Sequence, residues 1–160
     1  MHVRDANEPE RIRALHDLKY MPGERVAALD HVARVAVDHF KVPIALVSLV
    51  DETAQCFVGC QGLGVAGTHR SQAFCRYTIL SDEVMVVEDA KRDARFVSNP
   101  LVTGDPFIRF YAGAPLVLRN GIRLGTVCII DRVPRTLSFG QRIVLKQLAT
   151  IAMSEIATRG

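Results

Sequence analysis

The residues of this 160-residue chain best equipped for chemistry are its four cysteines and a cation–phenol pair, Arg109 and Tyr111. A thiolate can act as nucleophile, redox partner or metal ligand, but each role needs a second group within reach. Cys56 and Cys60 lie in Gln55-Cys56-Phe57-Val58-Gly59-Cys60, which reads as a strand, so their spacing sets them about 13 Å apart. They can neither bridge nor share one zinc ion. Cys75 falls in a predicted helix and Cys128 in a predicted strand, and no C-x-x-C pair exists. The expectation is four reduced thiols and no metal site.

Arg109 and Tyr111 belong to the stretch from Phe107 to Asp131, which reads as two strands joined at Arg119-Asn120-Gly121, where Asn-Gly favours a hairpin with positive φ angles. Alternation places Ile108, Phe110, Ala112, Ala114 and Leu116 on one face and Phe107, Arg109, Tyr111, Gly113 and Pro115 on the other. The first face is core. The second, mixing a cation, a phenol, a glycine and two rings, suits either a cavity wall or a solvated sheet face. In the second strand Val127 and Ile129 oppose Thr126 and Cys128 in the same way.

Gly62-Leu63-Gly64-Val65-Ala66-Gly67 matches the spacing of a dinucleotide-binding loop. That chemistry needs a helix N-terminus inside the motif to meet the pyrophosphate. Thr68-His69-Arg70-Ser71 delays any helix, and the preceding strand is the return arm of a hairpin. The segment therefore reads as a glycine loop.

The elements that must position these groups follow from periodicity. Helices are predicted over Pro9 to Tyr20 and Val26 to Phe40, then strands over Ile44 to Val50 and Ala54 to Cys60, the latter nearer the sheet edge. A helix capped by Ser71 runs through Leu80, and Glu83 to Glu88 forms a strand. Arg95 to Pro106 has no clean period and carries Pro100, Gly104 and Pro106; a loop of that length in a compact domain covers something. After the hairpin, Ser138 starts a final helix whose apolar arc of Ile143, Val144, Leu145, Leu148, Ile151, Ala152 and Ile156 is wider than one packing face needs. An isologous dimer built from terminal helices would bury the excess.

Length fits one domain. The net charge of +3 is spread without like-sign blocks, which argues against nucleic acid as partner. No apolar run approaches the roughly 20 residues that span a bilayer, and Met1-His2-Val3-Arg4-Asp5 is no secretory signal. A soluble, cytoplasmic protein is expected.

Several segments in this order resemble those of a GAF domain of the type found as input module in bacterial sensor histidine kinases and cyclic-dinucleotide signalling proteins. They are Val42-Pro43-Ile44 through Asp51, Ala73-Phe74-Cys75, Asp93-Ala94-Arg95-Phe96 with Asn99-Pro100-Leu101-Val102-Thr103-Gly104, Ile108 to Leu116, and Leu124 to Asp131. The resemblance implies an α+β fold, with a central antiparallel β-sheet, N- and C-terminal helices on one face and a small-ligand cavity under loops and a short helix on the other. Residues 1–25 would form an N-terminal helix and linker, and 26–156 the core.

It further implies a non-catalytic sensory role that couples a small molecule to a helical homodimer, with a downstream signalling domain or kinase as partner. On that basis the ligand-binding residues would be Ser48, Thr126 and Cys128 on the floor, Phe74, Cys75 and Thr78 on the cavity helix, Phe96 and Asn99 on the loop, and Arg109 and Tyr111 on the hairpin. Arg109 would hold an anion and Tyr111 a planar group. No cofactor is expected: bilin-binding members carry a Cys-His pair on the cavity helix, whereas Arg76 and Tyr77 follow Cys75 here. Two alternatives accompany this reading. One is a thiol reductase of the free methionine sulfoxide type, for which the sequence presents no convincing nucleophile and resolving pair. The other is a degenerate member whose cavity is filled by Phe74, Tyr77, Phe96, Phe107 and Tyr111.

Overall fold

β1 (Ile44–Val50) is buried at every residue, as its unbroken aliphatic run predicts for a strand covered on both faces. The computed structural model describes residues 4–159; Met1 to Val3, within the stretch read for signal character, and Gly160 lie outside the described residues. β1 is flanked by β2 (Ala54–Gln61) and β6 (Arg123–Asp131) in a six-stranded antiparallel sheet of order β3-β2-β1-β6-β5-β4. β5 (Phe110–Val117) pairs with β6, β4 (Met85–Val87) closes one edge, and β3 (Gly67–His69) closes the other. The fold is α+β with the GAF-like arrangement of sheet and helices.

Period-2 alternation divides the core. Ala45, Val47, Leu49, Phe110, Ala112, Ala114, Val127 and Ile129 pack against α1 (Glu8–Asp17), α2 (Ala27–Phe40) and α5 (Phe139–Ala157). Ile44, Leu46, Val50, Tyr111, Cys128 and Ile130 join a separate cluster with Phe74, Cys75 and Phe96. On that face lie the one-turn helices α3 (Cys75–Thr78) and α4 (Pro100–Thr103). Ser138 starts α5 as expected, in a capping box with Gln141.

Four local expectations are corrected. The glycine segment after β2 ends in strand β3, so it is a hairpin connection; β2 does lie nearer the sheet edge than β1, with β3 outside it. Ser71 caps no long helix; Arg70–Gln72 forms a single 3-10 turn whose cap is His69, and α3 follows separately. The hairpin between β5 and β6 has positive φ only at Gly121, with the Gly121 amide donating to Leu118 O and the Leu118 amide to Ile122 O. That is a tight turn followed by a glycine in the left-handed region, the form taken by a three-residue connection. Lastly, β5 begins at Phe110, so alternation does not extend back to Phe107.

A register shift in the β1–β2 pair sets Val47 opposite Gly59 and Ser48 opposite Phe57, leaving Val58 as an extra residue. Phe57 and Cys60 therefore face the cavity side, while Cys56 lies beside Leu15 and His16 of α1. The two thiols are on opposite faces of the sheet, which bars a bridge more firmly than their spacing does. All four cysteines are free.

α1 is tied down by charge. Arg11, 1% exposed, and Arg70, 4% exposed, both bond the Glu8 carboxylate, and Arg11 Nη1 also reaches the Arg123 and Leu124 carbonyls. Burial by itself would raise the Glu8 pKa, but hydrogen bonds from Arg11 and Arg70 outweigh it and bring the carboxyl from near 4.5 down to about 2. A depressed carboxyl stabilises the fold at pH values above its unfolded value, and that contribution disappears as pH falls from about 4.5 towards about 2. Glu8→Gln is expected to cost about 2 kcal/mol at neutral pH, less than the whole shift because the carboxylate keeps some solvent contact. Denaturant titrations of both proteins should show the difference shrinking towards zero between pH 4.5 and 2.

Candidate functional site

Between the sheet and its α3–α4 cover lies a cavity of about 270 Å³. Its walls come from β1 (Ile44, Leu46), β2 (Gln55, Phe57), the loop into β3, α3 and the segment before β5, whose Leu101, Asp105, Pro106 and Ile108 close one side. A wider groove of about 870 Å³ runs beside α5, but no cysteine lines it. The segment from Arg95 to Pro106 does cover something, and it is held there by Asn99. The Asn99 side chain caps α4 by accepting from the Leu101 amide at 2.9 Å and donates to Gln72 O at 3.1 Å.

Of the residues expected in the site, Phe74, Cys75, Tyr111 and Cys128 line the cavity. Ser48, Thr78 and Thr126 lie one layer deeper and are fully buried. Phe96 stacks behind Phe74 with ring centroids 3.9 Å apart, and Asn99 holds the cover. Arg109 is the correction. Its Nη1 donates to the Val102 and Ile108 carbonyls, both at 2.9 Å, so it braces the covering segment, and it is not among the residues that line the cavity. The reason is the lost alternation before Phe110: Phe107 has a φ of 60°, and Ile108, read as core under the helices, faces the cavity.

The aromatic residues do not fill the space. Phe74 and Tyr111 form wall, Phe96 is stacked away and Phe107 is exposed, so the filled-cavity alternative loses its premise. Gln55, Thr68, Gln72 and Asp105 are lining residues that the sequence reading missed. Gln55 and Thr68 sit in a β2–β3 pairing not anticipated there, and nothing in the period of the covering loop singled out Asp105.

The sulfur of Cys75 is the most densely bonded group on this face. Ser48 Oγ donates to it at 3.4 Å, Tyr111 Oη donates at 3.2 Å, and Thr126 Oγ1 lies 3.0 Å away. Ser48 and Thr126 are themselves 2.9 Å apart, and Thr78 Oγ1 meets Tyr111 Oη at 2.8 Å. As a thiol, Cys75 can donate to Thr126, Thr126 to Ser48 and Ser48 back to Cys75, which closes a ring. As a thiolate, Cys75 can instead receive all three hydroxyl protons. Burial opposes ionisation, but bonds from Cys128, Ser48, Thr126 and Tyr111 prevail and lower its pKa to about 7. Cys128, hydrogen-bonded to Cys75 and buried, is pushed well above the ordinary thiol value. Burial and then the nearby Cys75 sulfur raise Tyr111 likewise. A thiol inclined to ionise and a second thiol thus line one cavity, a pairing that assigning Cys128 to a strand had seemed to preclude.

The family model described as GAF domain matches residues 24–156. A cyclic di-GMP phosphodiesterase of Pseudomonas aeruginosa is 42% identical over 130 residues, covering 81% of this chain and 22% of that protein, so the chain spans about a fifth of its length. Among solved structures, the GAF domain from a phosphoenolpyruvate-protein phosphotransferase of Coxiella burnetii superposes with a TM-score of 0.70 at 15% identity, over 94% of this chain and 92% of that one. The free methionine-R-sulfoxide reductase of Neisseria meningitidis, in complex with its substrate, gives 0.68 at 17% identity over 94% and 86%. At such identities the two structures speak for the fold alone.

The position of Tyr111 depends on Gly113. A Cβ at residue 113 would stand 2.2 Å from Tyr111 Oη. Gly113→Ala is expected to drive the phenol off Cys75 and Thr78, costing about 1–3 kcal/mol by overpacking. It should also raise the pH midpoint for reaction of Cys75 with a small alkylating reagent, followed by mass spectrometry of the modified thiol. An unchanged midpoint would remove Tyr111 from the account of that thiol.

Proposed function

Because the chain belongs to the GAF domain family, we propose that it is a non-catalytic sensory domain that binds a small molecule and couples it to a helical homodimer in signal transduction. The observation that carries this reading is the 270 Å³ cavity on one face of a sheet whose other face carries α1, α2 and α5. Adjacent residues of single strands link the two sides: Thr126 and Cys128 reach the cavity layer, Val127 and Ile129 the helices. A guest that shifts β6 must therefore shift the seat of the helices. The cyclic di-GMP phosphodiesterase relative supports a signalling context, with a downstream catalytic or kinase domain as the natural partner.

The dimer surface in this reading is α5. Its inner face buries Leu145, Leu148, Ala152 and Ile156, while Phe139, Ile143 and Ile151 stay 78%, 44% and 54% exposed. They form a stripe at helical spacing, the excess apolar arc anticipated from the sequence. Native mass spectrometry should find a dimer for the wild type and a monomer for the double variant Ile143→Lys, Ile151→Lys. A variant that stays dimeric sinks the α5 interface.

A second reading, a thiol reductase, is favoured by one observation, the presence of Cys75 and Cys128 on the wall of one cavity. In that chemistry the Cys75 thiolate attacks a sulfoxide sulfur, the oxygen leaves as water with two protons, and the sulfur is reduced to a thioether. Cys75 and Cys128 close a disulfide, which an external dithiol must reopen. Incubation with free methionine sulfoxide and dithiothreitol should then yield methionine, and Cys75→Ser and Cys128→Ser should each abolish turnover. Absence of turnover in the wild type leaves the sensory reading alone.

A further inference from the structure

The side chains around the cavity define the charge of its guest. Among the described residues no lysine, arginine or histidine lines it, and the charge it carries is negative: the Asp105 carboxylate, exposed at the rim without an ion-pair partner, and the Cys75 thiol, whose ionisation its hydroxyl neighbours favour. Arg109, the cation expected to bind an anion, does not line the cavity, and its Nη1 is held by two backbone carbonyls. A phosphate or carboxylate entering this space would leave water for an apolar wall and meet a like charge.

The second feature is Gln55, 4% exposed. Its Nε2 donates to Thr68 Oγ1 at 3.1 Å, and Thr68 Oγ1 in turn donates to His69 O at 3.1 Å. With its proton committed to a carbonyl, the Thr68 hydroxyl can only accept from Gln55, which fixes the amide with Nε2 on that side. Oε1 is left buried with no hydrogen-bond partner. A buried acceptor without a donor is destabilising, so a guest whose N–H meets Oε1, by a turn of the Gln55 side chain into the cavity it lines, relieves that cost.

Resting on the sensory reading, we infer that the cavity selects a small amine: a compact apolar or aromatic body whose N–H donors satisfy Gln55 Oε1 and whose positive charge lies towards Asp105. Phe57, Phe74 and Tyr111 supply aromatic walls suited to a ring or an ammonium group. At the ~30 Å³ that one water occupies in the liquid, the cavity holds about nine waters, the bulk of one aromatic ring with a short side chain. Nucleotides and other anions are excluded by charge, and larger ones by size as well.

Calorimetric titration of the full chain with three probes of matched shape tests this: phenethylamine, hydrocinnamate and phenethyl alcohol. The amine should bind tightest and the carboxylate not at all. Asp105→Asn, a change at an exposed site, should weaken the amine roughly tenfold, the worth of a charge-assisted hydrogen bond. Asp105→Lys should reverse the preference in favour of hydrocinnamate, and Gln55→Leu, with its fold checked by circular dichroism, should also weaken the amine. The inference falls if hydrocinnamate or the alcohol binds as tightly as the amine, or if the amine is indifferent to both Asp105→Asn and Gln55→Leu; the sensory reading survives those outcomes. If no probe binds, the inference falls, and the sensory reading, which names no ligand, stands or falls on its own test.

Discussion

A sheet covered on both faces allows no polar side chain in its central strands to reach water, and this constraint governs the cavity side of the molecule. Ser48, Thr126, Thr78 and Tyr111 are all buried there, so each must find its partner among the others or on sulfur. They converge on Cys75 Sγ, and the network that satisfies them also makes that thiol more acidic. The same requirement that keeps the fold stable thus shifts a buried thiol towards ionisation. An apolar floor of equal volume would pack as well but would leave Cys75 an ordinary, inert buried thiol.

The two faces are joined at the edge by the Glu8 clamp. Glu8 is on α1 with the helices, and Arg70 belongs to the 3-10 turn that leads into α3 on the cavity side. Movement of the cavity cover would therefore be felt at α1 without passing through the sheet. Buried pairs of this kind confer little net stability but a fixed geometry, because a half-broken pair leaves an uncompensated charge.

Much of the fold was legible because hydrophobic period reports burial directly. The all-apolar Ile44–Val50 run reads as a central strand, Val127 and Ile129 alternate visibly with Thr126 and Cys128, and Ser138 with Gln141 marks the start of α5. Period fails where the strand does. A bulge at Val58 reverses the parity between Cys56 and Cys60, and the irregular backbone before Phe110 exchanges the roles of Ile108 and Arg109. Neither break leaves a mark in residue type, since a bulge needs no special side chain and Phe107 is an improbable residue for positive φ.

By itself, then, the sequence determined the order of the long helices and strands and the two-faced hairpin, which depend on neighbours close in the chain, while the α+β class and the candidacy of Tyr111, Cys75 and Cys128 came through the resemblance of its motifs to a family. Tertiary structure alone decided that Cys75 and Cys128 line one cavity, and that Gln55 and Asp105 line it with them. Those facts join residues 53 and 50 positions apart. Contacts at such separations are set by strand register and by the packing of irregular segments, which a local pattern of residue types does not encode.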